Sequence, residues 1–115
     1  MSINKVKRTP YTLAIMKLSN HSKQIKNFIE IIYPDYVDKI LLADGFDDAF
    51  IGITENSNGN PVATYSIDKC LQILTEQFKD QDDAEGDAVD YFEFNVRGSY
   101  VGEFTPLFVN TLKLL

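Results

Sequence analysis

The residues of this chain best suited to chemistry are carboxylates. Asp44, Asp47 and Asp48 fall within the five-residue stretch Asp44-Gly45-Phe46-Asp47-Asp48, and Glu103 lies in a later loop between glycine and phenylalanine. Carboxylates grouped this closely are the oxygen ligands that a hard cation such as Mg²⁺ or Ca²⁺ takes. Their spacing does not match an EF-hand loop, which needs ligands at several more alternating positions. The commoner use of such Asp residues is to form turns by accepting backbone N–H groups. Asp47 and Asp48 are also expected to enter a strand, where successive side chains point to opposite faces and so diverge. A turn is therefore expected here, and no metal. Asn95 is the other candidate. It lies on an apolar stripe between Phe92 and Val96, where a buried amide must find partners. The Gly98–Glu103 loop offers backbone groups for it, and a ligand contact is the alternative. The binding candidates are thus Asp44, Asp47, Asp48, Asn95 and Glu103.

No catalytic set accompanies them. The single cysteine, Cys70, is on an apolar helical face, where a cysteine acts as a small buried hydrophobe. The single histidine, His21, is in a polar break, with nothing in the sequence tying it to Cys70. One Cys and one His exclude the usual zinc patterns, carboxylate-heavy sites aside. Gly98-Ser99-Tyr100-Val101-Gly102-Glu103 lacks the Lys-Ser/Thr of a phosphate loop. No catalytic residue, metal or cofactor is expected.

Stepping along the chain gives the elements that would hold these groups. Thr9-Pro10 resembles an N-cap and first helical residue. Tyr11, Ala14, Ile15 and Leu18 then share a helical face, although Tyr11, Leu13 and Ile15 also alternate as in a strand. A second helix is predicted from Lys23 to Tyr33, burying Ile25, Phe28, Ile29 and Ile32, and Pro34 ends it. A third helix is predicted from Pro34-Asp35, carrying Tyr36, Val37, Ile40 and Leu41, with Gly45 as its left-handed C-cap. Ala49–Thr54 and Pro61–Tyr65 read as strands joined at Asn58-Gly59, a strong hairpin dipeptide. Ser66 caps a helix with Ile67, Cys70, Leu71, Leu74 and Phe78 on one face. Asp82 and Glu85 suggest a capping box for the helix carrying Ala88, Tyr91, Phe92, Asn95 and Val96, which Gly98 stops. Ser99–Thr105 is a loop and Pro106–Asn110 a third strand. The fold class is α+β: a small, mainly antiparallel sheet, formed by the hairpin 49–65 and a strand near 106–110, packed against helices in a single domain.

With 115 residues, the chain is long enough for one modest core. Eight Phe and six Tyr without Trp point to Phe as the main core volume. One cysteine rules out an internal disulfide and fits a reducing compartment. The longest apolar runs fall far short of the ~20 residues of a membrane span, and no signal-peptide h-region opens the chain. The net charge of −6 conceals an asymmetry. Residues 1–33 carry six Lys/Arg against Glu30, a net +5, while residues 34–115 carry a net −11. Residues 1–33 are therefore expected to be a basic, helical N-terminal extension and 34–115 an α+β core. The basic third is either a partner-binding arm or packs on the acidic body. The acidic body disfavours direct nucleic-acid binding.

Three stretches carry a resemblance. They are Asp44-Gly45-Phe46-Asp47-Asp48-Ala49-x-Ile51-Gly52, then Pro61-Val62-Ala63-x-Tyr65 with Lys69-Cys70-x-x-Ile73-Leu74. The third is Tyr91-Phe92-x-Phe94-Asn95-Val96-x-Gly98-x-Tyr100-Val101-Gly102-Glu103-x-Thr105-Pro106. In this order and spacing, over roughly residues 35–110, the chain resembles a family of small uncharacterised proteins encoded widely in bacteriophages and in some bacteria. The resemblance implies a viral origin and brings no activity, cofactor or site residue. The expectation is a phage accessory protein of the host cytoplasm that binds a host or phage protein, on host machinery or defence, without catalysis and without a membrane. The alternative is a small-molecule or metal-binding protein, or a hydrolase, with its site at Asp44, Asp47, Asp48 and Glu103. A structural role in the virion stays open.

Overall fold

Residues 61–66 are all buried, and the other elements pack around this strand. The computed structural model of the chain describes residues 3–4 and 21–112. In chain order the elements are β1 (Ile3–Asn4), α1 (His21–Ile32), β2 (Leu42–Ala43), β3 (Phe50–Glu55), β4 (Pro61–Ser66), α2 (Ile67–Gln77), α3 (Ala84–Phe92) and β5 (Leu107–Val109). The architecture is α+β. β4 is the centre of a three-stranded sheet, antiparallel to β3 and parallel to β5. The sheet is thus mixed. β5 arrives after two helices and a long loop, which is the connection a parallel neighbour needs. β1 and β2 form a separate antiparallel pair, with Ile3 opposite Ala43. The helix expected over Tyr11–Leu18 lies outside the described residues.

α1 buries Ile25 and Ile29, while Phe28 and Ile32 are 39% and 50% exposed. Phe28 meets Phe50 edge-on, with ring centroids 6.3 Å apart. The Tyr33 amide donates to the Ile29 carbonyl at 2.8 Å, and Pro34 then stops the helix. Ile25 and Ile29 belong to the same buried cluster as Tyr65, Leu74 and Phe92. Packing therefore runs across the expected boundary at residue 33. Burying two such side chains contributes about 1.5–3 kcal/mol each.

The expected third helix is a single 3₁₀ turn, Pro34–Tyr36, closed by Tyr36 N–H to Tyr33 O at 3.0 Å, and a turn in which Lys39 and Ile40 donate to the Tyr36 carbonyl follows it. A helix this short is costly to nucleate. The chain instead extends as β2, where the Ala43 amide donates to the Tyr65 hydroxyl at 2.8 Å. Gly45 is accordingly not a helix cap. It takes φ +88° in the turn Ala43–Phe46, closed by Phe46 N–H to Ala43 O at 3.2 Å. Glycine is favoured at the third position of such a type II turn.

The hairpin forms with a three-residue loop, Ser57-Asn58-Gly59. Asn56 N–H donates to Asn60 O and Gly59 N–H to Asn56 O, both at 2.9 Å. Only Gly59 has positive φ, at +81°, so a type I turn is followed by one left-handed residue. Ile51 is an extra residue in β3, where the register shifts between Phe50 and Gly52. Ser66 caps α2 as expected, accepting the Lys69 amide at 3.2 Å. The cap of α3 is Asp83 rather than Asp82, accepting the Gly86 amide at 3.1 Å. A Cβ on Gly86 would lie 2.2 Å from an Asp83 carboxylate oxygen, so glycine leaves room for the cap.

Phe does not dominate the interior. Among the described residues only Phe46 and Phe92 are fully buried Phe, beside Tyr65, Ile40, Leu74 and Val62. Phe50 and Phe108 flank Tyr65 at 5.7 and 5.6 Å, and Phe92 meets Phe108 edge-on at 5.4 Å. These rings form a continuous aromatic chain through the sheet and α3. Edge-on and offset contacts of this kind add about 0.5–1.5 kcal/mol each beyond burial.

Candidate functional site

The acidic stretch leaves β2 through the type II turn and runs into a 3₁₀ turn, Asp47–Ala49, before β3 begins at Phe50. Asp44 is 4% exposed. Asp44 and Asp47 both have interaction partners within the chain. Asp48 is exposed, and its Oδ1 contacts Nδ1 of His21 at the start of α1. Because Asp47 and Asp48 precede the strand, the alternation expected of them does not apply. Both line the same cleft. Its volume is about 320 Å³, at the small end for a ligand pocket. His21 and Phe28 of α1, Phe50 of β3 and Lys69 of α2 also line it.

Glu103 is not part of this group. Its backbone carbonyl accepts from the Asn56 side chain at 2.9 Å, which ties the 99–105 loop to the hairpin tip. Asp48 is at the opposite end of β3. Six residues of strand at ~3.3 Å each separate the two ends by roughly 20 Å. Among the described residues, no three His, Cys, Asp or Glu side chains are grouped so as to hold a metal ion. The alternative site at Asp44, Asp47, Asp48 and Glu103 is therefore not assembled as one unit.

His21 is the residue that sequence reasoning missed. It meets Asp48 from 27 positions away, and no local spacing signals that contact. A carboxylate against Nδ1 can orient an imidazole, leaving Nε2 to accept or pass a proton. The described residues lining the cleft include no Ser, Thr or Cys. Cys70 is fully buried, and desolvation pushes its thiol up to about 12. That makes it unreactive near neutral pH.

Asn95 lies elsewhere and points elsewhere. After α3 the chain makes a π turn, Glu93–Arg97. This wider i→i+5 turn advances each residue by less than the α-helical angle. Val96 consequently lands on the core side at 1% exposure, while Asn95 falls short of it and is exposed. The expected buried amide is thus a surface group, and its backbone carbonyl accepts from Ser99 Oγ at 2.9 Å. Beside it, Phe94 is 82% exposed. Tyr100 and Val101 follow on the next loop, at 79% and 40%. That loop is held by Thr105, whose Oγ1 accepts the Val101 amide at 3.0 Å and donates to Gly102 O at 2.7 Å. The π turn and this loop therefore display large apolar groups from a locally braced backbone. No described helix is long and apolar enough to cross a membrane. Comparison of the chain with family models, with curated proteins and with solved structures finds no match.

Proposed function

We propose that this is a phage-encoded accessory protein of the host cytoplasm that acts by binding a host or phage protein and not by catalysis. The observation that carries it is Phe94, a whole aromatic ring held in water on a π turn, with Asn95, Tyr100 and Val101 close by in sequence. Exposed aromatic side chains on an ordered frame are the usual anchors of protein interfaces. π turns are also frequent at functional positions, since they interrupt a helix that would otherwise continue regularly. The resemblance to phage proteins supports the origin. The small cleft beside His21 and the unreactive Cys70 lend less support to an enzyme.

The test uses the full chain immobilised and exposed to nuclease-treated bacterial lysate, beside its Phe94→Ala variant. Selective retention of a protein by the wild type, lost in a variant with unchanged circular dichroism, is the expected result. Equal retention by both forms sinks the proposal. A rise in melting temperature of several degrees with a nucleotide or metal would move the function to the His21 cleft instead.

A further inference from the structure

The π-turn surface continues into a strip of carboxylates. Residues 82–93 contain Asp82, Asp83, Glu85, Asp87, Asp90 and Glu93, with no Lys, Arg or His among them. All but Asp87 are exposed. On a helix, residues three and four apart are neighbours. Within α3, Asp87 and Asp90 are neighbours on one row and Glu85 and Val89 on the adjacent one, while Asp82 and Asp83 lie just before the helix and Glu93 and Phe94 in the π turn just after it. Val89 is 45% exposed within this strip.

Part of this charge is explained by the helix itself. Asp83 is the cap, and Glu85 and Asp87 lie in the first turn, where the helix dipole favours anions. Asp90 has no such explanation. It lies toward the C-terminal end of α3, where the dipole opposes a carboxylate, and among the described residues no basic side chain pairs with it. Asp82 is an exposed carboxylate outside the helix. Glu93 is half-exposed even while bonded to Arg97 at 3.2 Å. The strip carries more negative charge than α3 uses for its own stability.

Accepting the protein-binding role proposed above, we infer that the partner docks a Lys/Arg-rich, phosphate-binding surface on this face, so that the protein competes with nucleic acid for that surface. The carboxylates of the strip supply the charge complement, which steers association and excludes acidic partners. Phe94 and Val89 supply the apolar contacts that a phosphate backbone lacks. The same charge repels nucleic acid from the chain itself.

The experiment extends the retention assay. A short DNA duplex is added as competitor, and a second variant, Asp82→Asn with Asp90→Asn and Glu93→Gln, is compared. These changes keep shape and spare the Asp83 cap. The protein retained by the wild type is then purified and titrated. Removing three exposed charge pairs is expected to weaken its binding about tenfold. The duplex is expected to displace it, and it should bind the duplex on its own. A partner lost with Phe94→Ala but indifferent to the charge variant and to the duplex overturns the inference while leaving the binding role intact. A wild type that retains nothing beyond Phe94→Ala overturns both. Direct binding of the labelled duplex to this chain overturns the inference as well.

Discussion

Replacing Tyr65 with Phe removes one oxygen from the middle of the structure and leaves the packing in place. The ring is fully buried, stacked on Phe108 at 5.6 Å and edge-on to Phe50 at 5.7 Å. Both contacts survive the change. The change removes the acceptor for the Ala43 amide, now held at 2.8 Å. Ala43 is 0% exposed, so water cannot replace the lost partner. A buried donor left without a partner costs about 1–3 kcal/mol. Against the 5–15 kcal/mol typical of a domain, that is a large share. Urea denaturation should show a lower midpoint with an unchanged slope, since the exposed surface is the same. Hydrogen exchange at the Ala43 amide should accelerate, because β2 loses its tie to the sheet while the hairpin keeps its own. A loss below about 0.5 kcal/mol, with the Ala43 amide still protected, would refute the assignment of this bond as the anchor of the acidic turn.

Four further outcomes are expected. Gly59→Val should destabilise by roughly 1 kcal/mol or more through backbone strain alone, since φ is +81° and nothing lies within 4 Å of the added Cβ; an unchanged denaturation curve would contradict the turn. Cys70 should resist alkylation at pH 8 in the native state and react on unfolding. Its thiol pKa rises from 9.0 to about 12 on folding, so above pH 9 the unfolded chain gives up the proton first. Stability is then fully kept below 9 and falls by about 1.4 kcal/mol per pH unit up to about 12, a slope that Cys70→Ala should flatten. Millimolar Mg²⁺, Ca²⁺ or Mn²⁺ should leave the melting temperature unchanged beyond weak screening, whereas a rise of several degrees that vanishes in Asp48→Asn would establish a cation site. A chain beginning at Tyr33 should lose cooperative thermal unfolding, because Ile25 and Ile29 leave the core; a sharp transition at the full-length temperature would show that α1 is dispensable.

Much of the secondary structure was written in local sequence. Asn58-Gly59 between two β-rich runs marked the hairpin, Ser66 marked the start of α2, and Pro34 and Gly98 marked two ends. Each of these is a short-range effect, set by a fixed φ, a missing donor or a side chain within reach of its own backbone. The α+β class followed from counting the elements. Tertiary structure decided the rest. The stripe Tyr36, Val37, Ile40 and Leu41 suits a helix, yet the Tyr65 hydroxyl and the β1 pairing hold the following residues extended. The parallel partner of β4 depends on where a long connection returns, which no local pattern encodes. Among the site candidates, the acidic turn was visible as a turn, but His21 reaches Asp48 only because α1 packs against the 3₁₀ turn Asp47–Ala49 and Phe50. Glu103 is drawn to the hairpin tip by Asn56, away from the other carboxylates. Asn95 read as buried because helical spacing placed it between Phe92 and Val96. One π turn changes the angle per residue, and with it which side chain meets the core and which meets water.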